Sequence, residues 1–281
     1  MTRRPRKAQG VSLATIIDSA RMAKRGLRAA RERAKRQEPP AGVVRSWVEN
    51  VQRDGCCVVP DFYDYGTCMQ LRVEVEEAIL RYPNAVHIMS GGADRRVFGA
   101  ELAGPGIRAF AEDSRLLAAA RATLSGNAAN AFTLAGSISY SDGNLGSGEG
   151  WHRDSFFNQF KAIVYLSDVT ERNGPFEYIT ESHRLRDKLS DYRAYRIPLT
   201  DSRISDSLVE GLIEAEPSRH KVFTASMGTL LLVDTTGIHR GMPLKAGERF
   251  ALTNYYFPAT RLGSELMDYF QPVLGHHVPV G

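Results

Sequence analysis

The chain predicts a mainly β fold with flanking helices, of the sandwich or jelly-roll kind. Three observations carry that expectation. Eight short segments between residues 131 and 257 have the small, β-branched and aromatic residues of strands. Turn-forming runs such as "ERNGP" (171–175) and "KAGER" (245–249) punctuate them. Helical patterns are confined to the residues before Asn127. A chain of 281 residues is long enough for one large all-β domain with added helices.

The elements follow in order. Residues 1–40 predict a basic helical arm and linker. Leu13, Ile16, Ala20, Ala23, Leu27, Ala30 and Ala34 recur at three- and four-residue steps, and "EPP" (38–40) ends the pattern. The stripe is mostly alanine, so it predicts a solvated helix docked loosely on the body. A basic helix touching an acidic surface, such as an anionic membrane or a protein, and a targeting segment are the other readings of residues 12–37. The body, residues 41–281, opens with a helix at 43–55 stopped by Gly55, and a strand "CCVVPDF" (56–62). An amphipathic helix at 66–82 follows, with Met69, Val73, Val75, Ile79 and Leu80 on its apolar face. Residues 95–101 predict a strand and 106–126 one or two helices. Strands are then expected at 131–141, 151–157, 161–168, 176–180, 220–225, 229–234, 237–241 and 249–257. A Gly-rich loop, "DGNLGSGEG" (142–150), and a polar insertion at about 182–219 interrupt them.

Composition excludes several classes. No apolar run approaches the roughly 18 residues of a membrane span. "VSLATII" (11–17) is too short for a secretory signal and Asp18 ends it. Cys56, Cys57 and Cys68 form no disulfide framework or zinc spacing, which predicts a reduced, cytoplasmic protein. The first 38 residues hold 12 Lys/Arg and 3 Asp/Glu, against +4 for the whole chain, so the rest carries −5. The basic character belongs to the arm, and no nucleic-acid partner is expected.

"EGWHRDSFFNQF" (149–160) holds His152 and Asp154 two apart. On a strand they face one way, about 6–7 Å apart, while Arg153 faces the other. Among seven histidines, His239 is the candidate third ligand, because it follows an apolar strand and a short "TTG" turn. Two histidines and a carboxylate suit a ferrous ion with open positions, and zinc accepts the same set. Ten residues further on, Arg249 begins a strand on which Ala251, Thr253 and Tyr255 share its face. Arginine there is suited to clamp a carboxylate through paired hydrogen bonds, or to pair with Glu248.

The order H-x-D, "NGP…SH", "GTLLLVDTTGIHRG" and Arg resembles the phytanoyl-CoA dioxygenase-like family, as does "RDGCCVVPDFYD" (53–64). The resemblance runs from about residue 43 to 257. It implies a double-stranded β-helix, the cupin-like jelly roll, and an Fe(II)/2-oxoglutarate-dependent dioxygenase using O2. His152, Asp154 and His239 would bind iron, Arg249 would hold the distal carboxylate of 2-oxoglutarate, and His183 would be structural. Oxidation of an unactivated C–H bond, with succinate and CO2 as co-products, is the implied chemistry. Because Asp154 is present, hydroxylation is favoured over halogenation, which needs a small residue there. Two positions depart from the family. Gly241 stands where a cosubstrate-binding hydroxyl residue is usual, with Thr253 or Tyr165 as substitutes. Glu181-Ser182-His183 replaces Gly-Ser-His.

Specificity is expected from residues 142–150, 95–98 and the insertion, with Arg95, Arg96, Tyr140, Phe156 and Phe157 as candidates. The Arg, Asp and Ser content of the insertion points to a polar small metabolite or glycan precursor. The competing readings are a non-catalytic binding or scaffold protein tethered by its basic helix, and a zinc hydrolase, which leaves Arg249 without a task.

Overall fold

The structure, a computed structural model, describes residues 24, 26–28, 30–154, 159–199 and 202–262. Seven antiparallel strands form the larger sheet, in the order β1-β8-β5-β10-β4-β3-β2. These are β1 (Cys56–Val59), β2 (Val86–Met89), β3 (Asp94–Phe98), β4 (Ala128–Ser139), β5 (Phe160–Tyr165), β8 (Leu230–Asp234) and β10 (Glu248–Pro258). The smaller sheet has the order β7-β6-β9, from β6 (Phe176–Ile179), β7 (His220–Phe223) and β9 (His239–Gly241). The chain thus folds as the expected jelly roll.

Period-two alternation divides the larger sheet into two environments. On β10, Phe250 and Leu252 join an apolar core with Phe160, Ala162 and Val164 of β5 and Leu230 and Leu232 of β8. Helices α1 (Val43–Asp54), α2 (Tyr65–Arg81), α3 (Pro105–Ala111) and α4 (Ser114–Thr123) cover this face with Trp47, Val51, Leu71, Val75, Phe110 and Leu116. Full burial of each such side chain is worth about 1.5–3 kcal/mol. On the opposite face, Arg249, Ala251, Thr253 and Tyr255 border a cavity between the sheets. Cys56 and Cys57 separate in the same way, one into each core.

Local chemistry fixes the helix ends. Asp64 and Asp113 accept hydrogen bonds from Thr67 N and Arg115 N at the starts of α2 and α4. Gly55 ends α1 at φ +88°, where a Cβ would lie 2.2 Å from the Tyr178 hydroxyl. His183 Nε2 contacts Gln52 O at 3.2 Å, tying this corner to the smaller sheet.

Several expectations need correction. Residues 151–154 form no strand: His152 makes isolated bridges to His239 and to Arg203. The buried face of α2 is Cys68, Leu71, Val75, Ala78 and Ile79, while Val73 and Leu80 are 51% and 73% exposed. The three- and four-residue spacing from Cys68 centres the stripe, and Val73 and Leu80 fall outside it. β2, which contains His87, lies outside the strands expected from the sequence. The insertion is not simply polar loop. It contains α5 (Leu185–Tyr195) and α6 (Asp206–Ala215), whose Val209 and Leu212 pack with Ile197 and Ile204 on Trp151 and Ile238.

The described part of the arm is fastened rather than loosely docked. Glu32 is buried and accepts from Ser125 Oγ, Gly126 N donates to Lys35 O at 2.7 Å, and Arg33 lies 3.6 Å from Asp234. The rest of the expected 12–37 helix lies outside the described residues, as do Phe156 and Phe157. Among the described residues, no helix is long and apolar enough to cross a membrane.

Candidate metal and cosubstrate site

The three expected ligands come together. Offered atoms of His152, Asp154 and His239 all lie within 4.8 Å of one another. His152 Nε2 is 3.6 Å from Asp154 Oδ1, and His239 Nε2 is 3.6 Å from Oδ2. Backbone pairing sets this geometry: His152 N donates to His239 O at 2.9 Å and His239 N to His152 O at 3.0 Å. The turn before His239 is built by Asp234, whose carboxylate accepts from Thr236 N and Thr236 Oγ1. Ser182 Oγ then accepts from Ile238 N at 2.7 Å, so the "SH" motif steadies the residue beside the distal histidine. Glu181, at the usual glycine position, has φ +68°.

Each imidazole is oriented through its other nitrogen. His152 Nδ1 donates to Gly150 O at 2.8 Å and His239 Nδ1 to Gly237 O at 3.0 Å. Carbonyl oxygens only accept, so both Nδ1 atoms carry a proton, and in a neutral ring so placed Nε2 presents its lone pair to the centre. Burial first, then the neighbouring His152, lowers the His239 pKa to about 3, which keeps the ring neutral. Burial pushes the Asp154 carboxyl up, but Lys161 and then His239 outweigh it and hold it well below the usual carboxylate range.

Lys161 is the residue that sequence reading missed. Its ammonium is 2.6 Å from Asp154 Oδ2 and lies 4.2 Å from the centre of the Tyr255 ring. Gln159 Nε2 also reaches Oδ2, at 3.3 Å. The signal was present in the alternation of β5: Lys161 shares the cavity face with Ile163 and Tyr165, a charge where an apolar residue is expected.

Arg249 borders the same cavity of about 450 Å³ and is buried. Glu248 pairs instead with Arg72, at 2.8 Å. Arg249 makes no ion pair among the described residues, so this cavity-lining arginine has carboxylate-binding capacity in hand. The donor set, two neutral imidazole nitrogens and a carboxylate, fits a first-row divalent metal with open positions. The cationic clamp beside it fits a dicarboxylate. The residues present therefore fit iron and 2-oxoglutarate together.

The cosubstrate substitutes fare differently. Thr253 borders the cavity. The Tyr165 ring does too, but its hydroxyl donates to Phe223 O at 3.3 Å and accepts from Phe176 N at 3.1 Å. Its one proton is thus committed to the main chain. Gly241 has a steric reason: a Cβ there would meet Ser147 Cβ at 2.8 Å. Ser147, from the Gly-rich loop, borders the cavity at that place and its Oγ accepts from Arg96 at 2.9 Å. Of the specificity candidates, Arg96 borders the cavity, whereas Tyr140 is exposed and donates to Asp142. Arg153 faces away from the ligands, as expected, with Nη1 donating to Pro198 O.

Comparison with known proteins adds three findings. Residues 51–248 match the sequence model of the family described as phytanoyl-CoA dioxygenase (PhyH). No curated protein matches the chain. Among solved structures, HygX from Streptomyces hygroscopicus with nickel and 2-oxoglutarate bound is 18% identical, with TM-score 0.53 over 77% of this chain and 88% of that one. The epimerase SnoN in complex with Fe3+, alpha ketoglutarate and nogalamycin RO is 17% identical, with TM-score 0.59 over 85% and 95%. EctD from S. alaskensis with bound Fe is 16% identical, with TM-score 0.60 over 80% and 79%. The likeness to these structures is one of fold.

Proposed function

We propose, from the premise that the chain belongs to the phytanoyl-CoA dioxygenase family, that it oxidises an unactivated C–H bond of a small polar metabolite or glycan precursor. The chain is an Fe(II)/2-oxoglutarate-dependent oxidoreductase, with iron, 2-oxoglutarate and O2 as its cofactor and cosubstrates. One observation carries the residue assignment: two imidazoles with bare Nε2 atoms and one carboxylate converge beside a buried arginine that lacks an ion pair among the described residues.

In this reading His152 and His239 each give Nε2, and the carbonyls of Gly150 and Gly237 hold the rings in place. Lys161 and Gln159 both hold Asp154 Oδ2, which leaves Oδ1 for the metal. Arg249 binds the distal carboxylate of 2-oxoglutarate, and Ala251 beside it leaves room for the chain of that molecule. Iron(II) with 2-oxoglutarate and dioxygen supplies an oxidant strong enough for a C–H bond, and releases succinate and CO2. The protein contributes ligands, orientation and a shielded cavity.

A cavity of about 450 Å³ is the size of small-molecule sites. One HygX structure holds hygromycin B and one SnoN structure holds nogalamycin RO, both small molecules. SnoN is an epimerase and SnoK, of the same fold, a carbocyclase, so the placement of the substrate decides whether hydroxylation or another oxidation follows. The test is succinate formation from 2-oxoglutarate by protein supplied with Fe(II). Asp154→Ala is expected to abolish it, and turnover equal to that of the parent would sink the ligand assignment.

A further inference from the structure

Charge in the cavity does not balance. Besides Arg153, four cationic residues border it, Arg96, Lys161, Arg203 and Arg249, against two carboxylates, Asp94 and Asp154, among the described residues. Arg153 also borders the cavity, but its guanidinium is turned to Pro198. An iron(II) ion and a 2-oxoglutarate dianion cancel one another, so loading both leaves the excess of two positive charges in place. A buried charge without a partner is costly.

The excess can be located. Arg96 is satisfied by Asp94, to which it donates from Nε at 3.0 Å and from Nη2. Arg249 is assigned to 2-oxoglutarate. Lys161 and Arg203 remain. Lys161 is 8% exposed and has three donors. Asp154 Oδ2 and the Tyr255 hydroxyl take two of them, and the third is left for the cavity. Once Asp154 shares its charge with a metal, the ammonium has no full counter-charge among the described residues. Arg203, exposed at the mouth, donates among the described residues only to the main-chain oxygens of Gly148 and Glu149.

We infer that the substrate carries an acidic group, a carboxylate or a phosphate, and that Lys161 receives it while Arg203 draws it in from the mouth. This rests on the reading of the site as an iron and 2-oxoglutarate centre. An anion docked on Lys161 lies beside Asp154, and the carbons next to the acidic group are then the ones brought closest to the metal ligands.

The test uses the full chain loaded with Ni(II) and 2-oxoglutarate, which holds the site without turnover. Uptake of both is measured first; failure at that step refutes the site assignment itself, and the substrate inference with it. Acetate, inorganic phosphate and neutral acetamide are then titrated by calorimetry. Saturable millimolar binding of acetate or of phosphate, and none of acetamide, is expected, and the anion that binds tells carboxylate from phosphate. Lys161→Met is expected to weaken that binding at least about tenfold, measured at nickel and 2-oxoglutarate concentrations shown to saturate the variant. Lys161→Arg retains it, and Arg203→Met weakens it mainly at low salt. Absence of saturable binding by both anions, equal binding of acetamide, or undiminished anion binding by Lys161→Met would each overturn the inference.

Discussion

Gly148 carries the sharpest test of the ligand geometry. Its φ is +87°, and a Cβ placed there would lie 2.3 Å from His152 Cε1 and 2.9 Å from Nε2. Carbon atoms rest at about 3.5–4.0 Å, so in Gly148→Ala the ring or the loop must yield by roughly 1 Å. Metal–ligand distances tolerate only about 0.2 Å, so a ring that moves this far leaves the metal. Two costs can be separated. Alanine in the left-handed region costs roughly 1–2 kcal/mol, which lowers the apoprotein Tm by roughly 2–8 °C for a domain of this size. Displacement of His152 costs metal affinity in addition, by about 10–100-fold or more. Gly143, in the same loop, is the control: its φ is +75° and nothing lies within 4 Å of its Cβ position. Gly143→Ala should therefore lose stability in the same range and keep its metal affinity. Both variants are measured by thermal unfolding without metal and by calorimetric titration with Ni(II). If Gly148→Ala binds nickel as tightly as Gly143→Ala, the loop has yielded instead of the ring, and the argument that this glycine exists to admit the ligand fails.

Other outcomes follow from the same geometry. Arg249→Met should weaken 2-oxoglutarate binding by about 30-fold or more, since a buried charge-assisted pair is removed, while nickel titration without 2-oxoglutarate stays unchanged. Glu181→Gly should raise Tm by a few degrees, because Glu181 holds φ +68° where glycine carries no penalty and its contact with Arg184 is solvent-accessible. The His239 pKa lies at about 3 in the fold, below its ordinary value of 6.5. The unfolded chain then binds the extra proton between those limits, so apoprotein stability rises with pH across that window. Urea unfolding at a series of pH values should show this rise, and it should shrink in His239→Asn.

The sequence made the strand series and the ligands legible for separate reasons. β5 and β8 are apolar runs of strand length, β10 is longer, and Arg249, Ala251, Thr253 and Tyr255 border the cavity from one face of β10 as the period requires. His152 and Asp154 were legible through motif order, although the backbone that carries them is no strand. Its hydrogen bonds come from distant partners, His239 and Ser202, which no local pattern announces. The insertion misled because its polar residues outnumber its apolar ones. The spacing of Leu208, Val209, Leu212 and Ile213 was the signal for α6. Lys161 was hidden among residues that read as an apolar strand. Its partner Asp154 is brought to it only by the fold.

Residues 151–153 lie between two neighbours. On one side His152 exchanges main-chain hydrogen bonds with His239; on the other, Arg153 N donates to Ser202 O at 2.8 Å and Ile204 N to Trp151 O at 3.0 Å. The proximal ligand is thus the middle rung of a ladder whose outer rung belongs to the insertion. Exchanging the insertion for that of another enzyme, to alter which molecules are accepted, would reset the rung that aligns His152. A graft that preserves catalysis should keep Ser182, His183 and residues 202–204 native and take its new segments from the rest of the insertion.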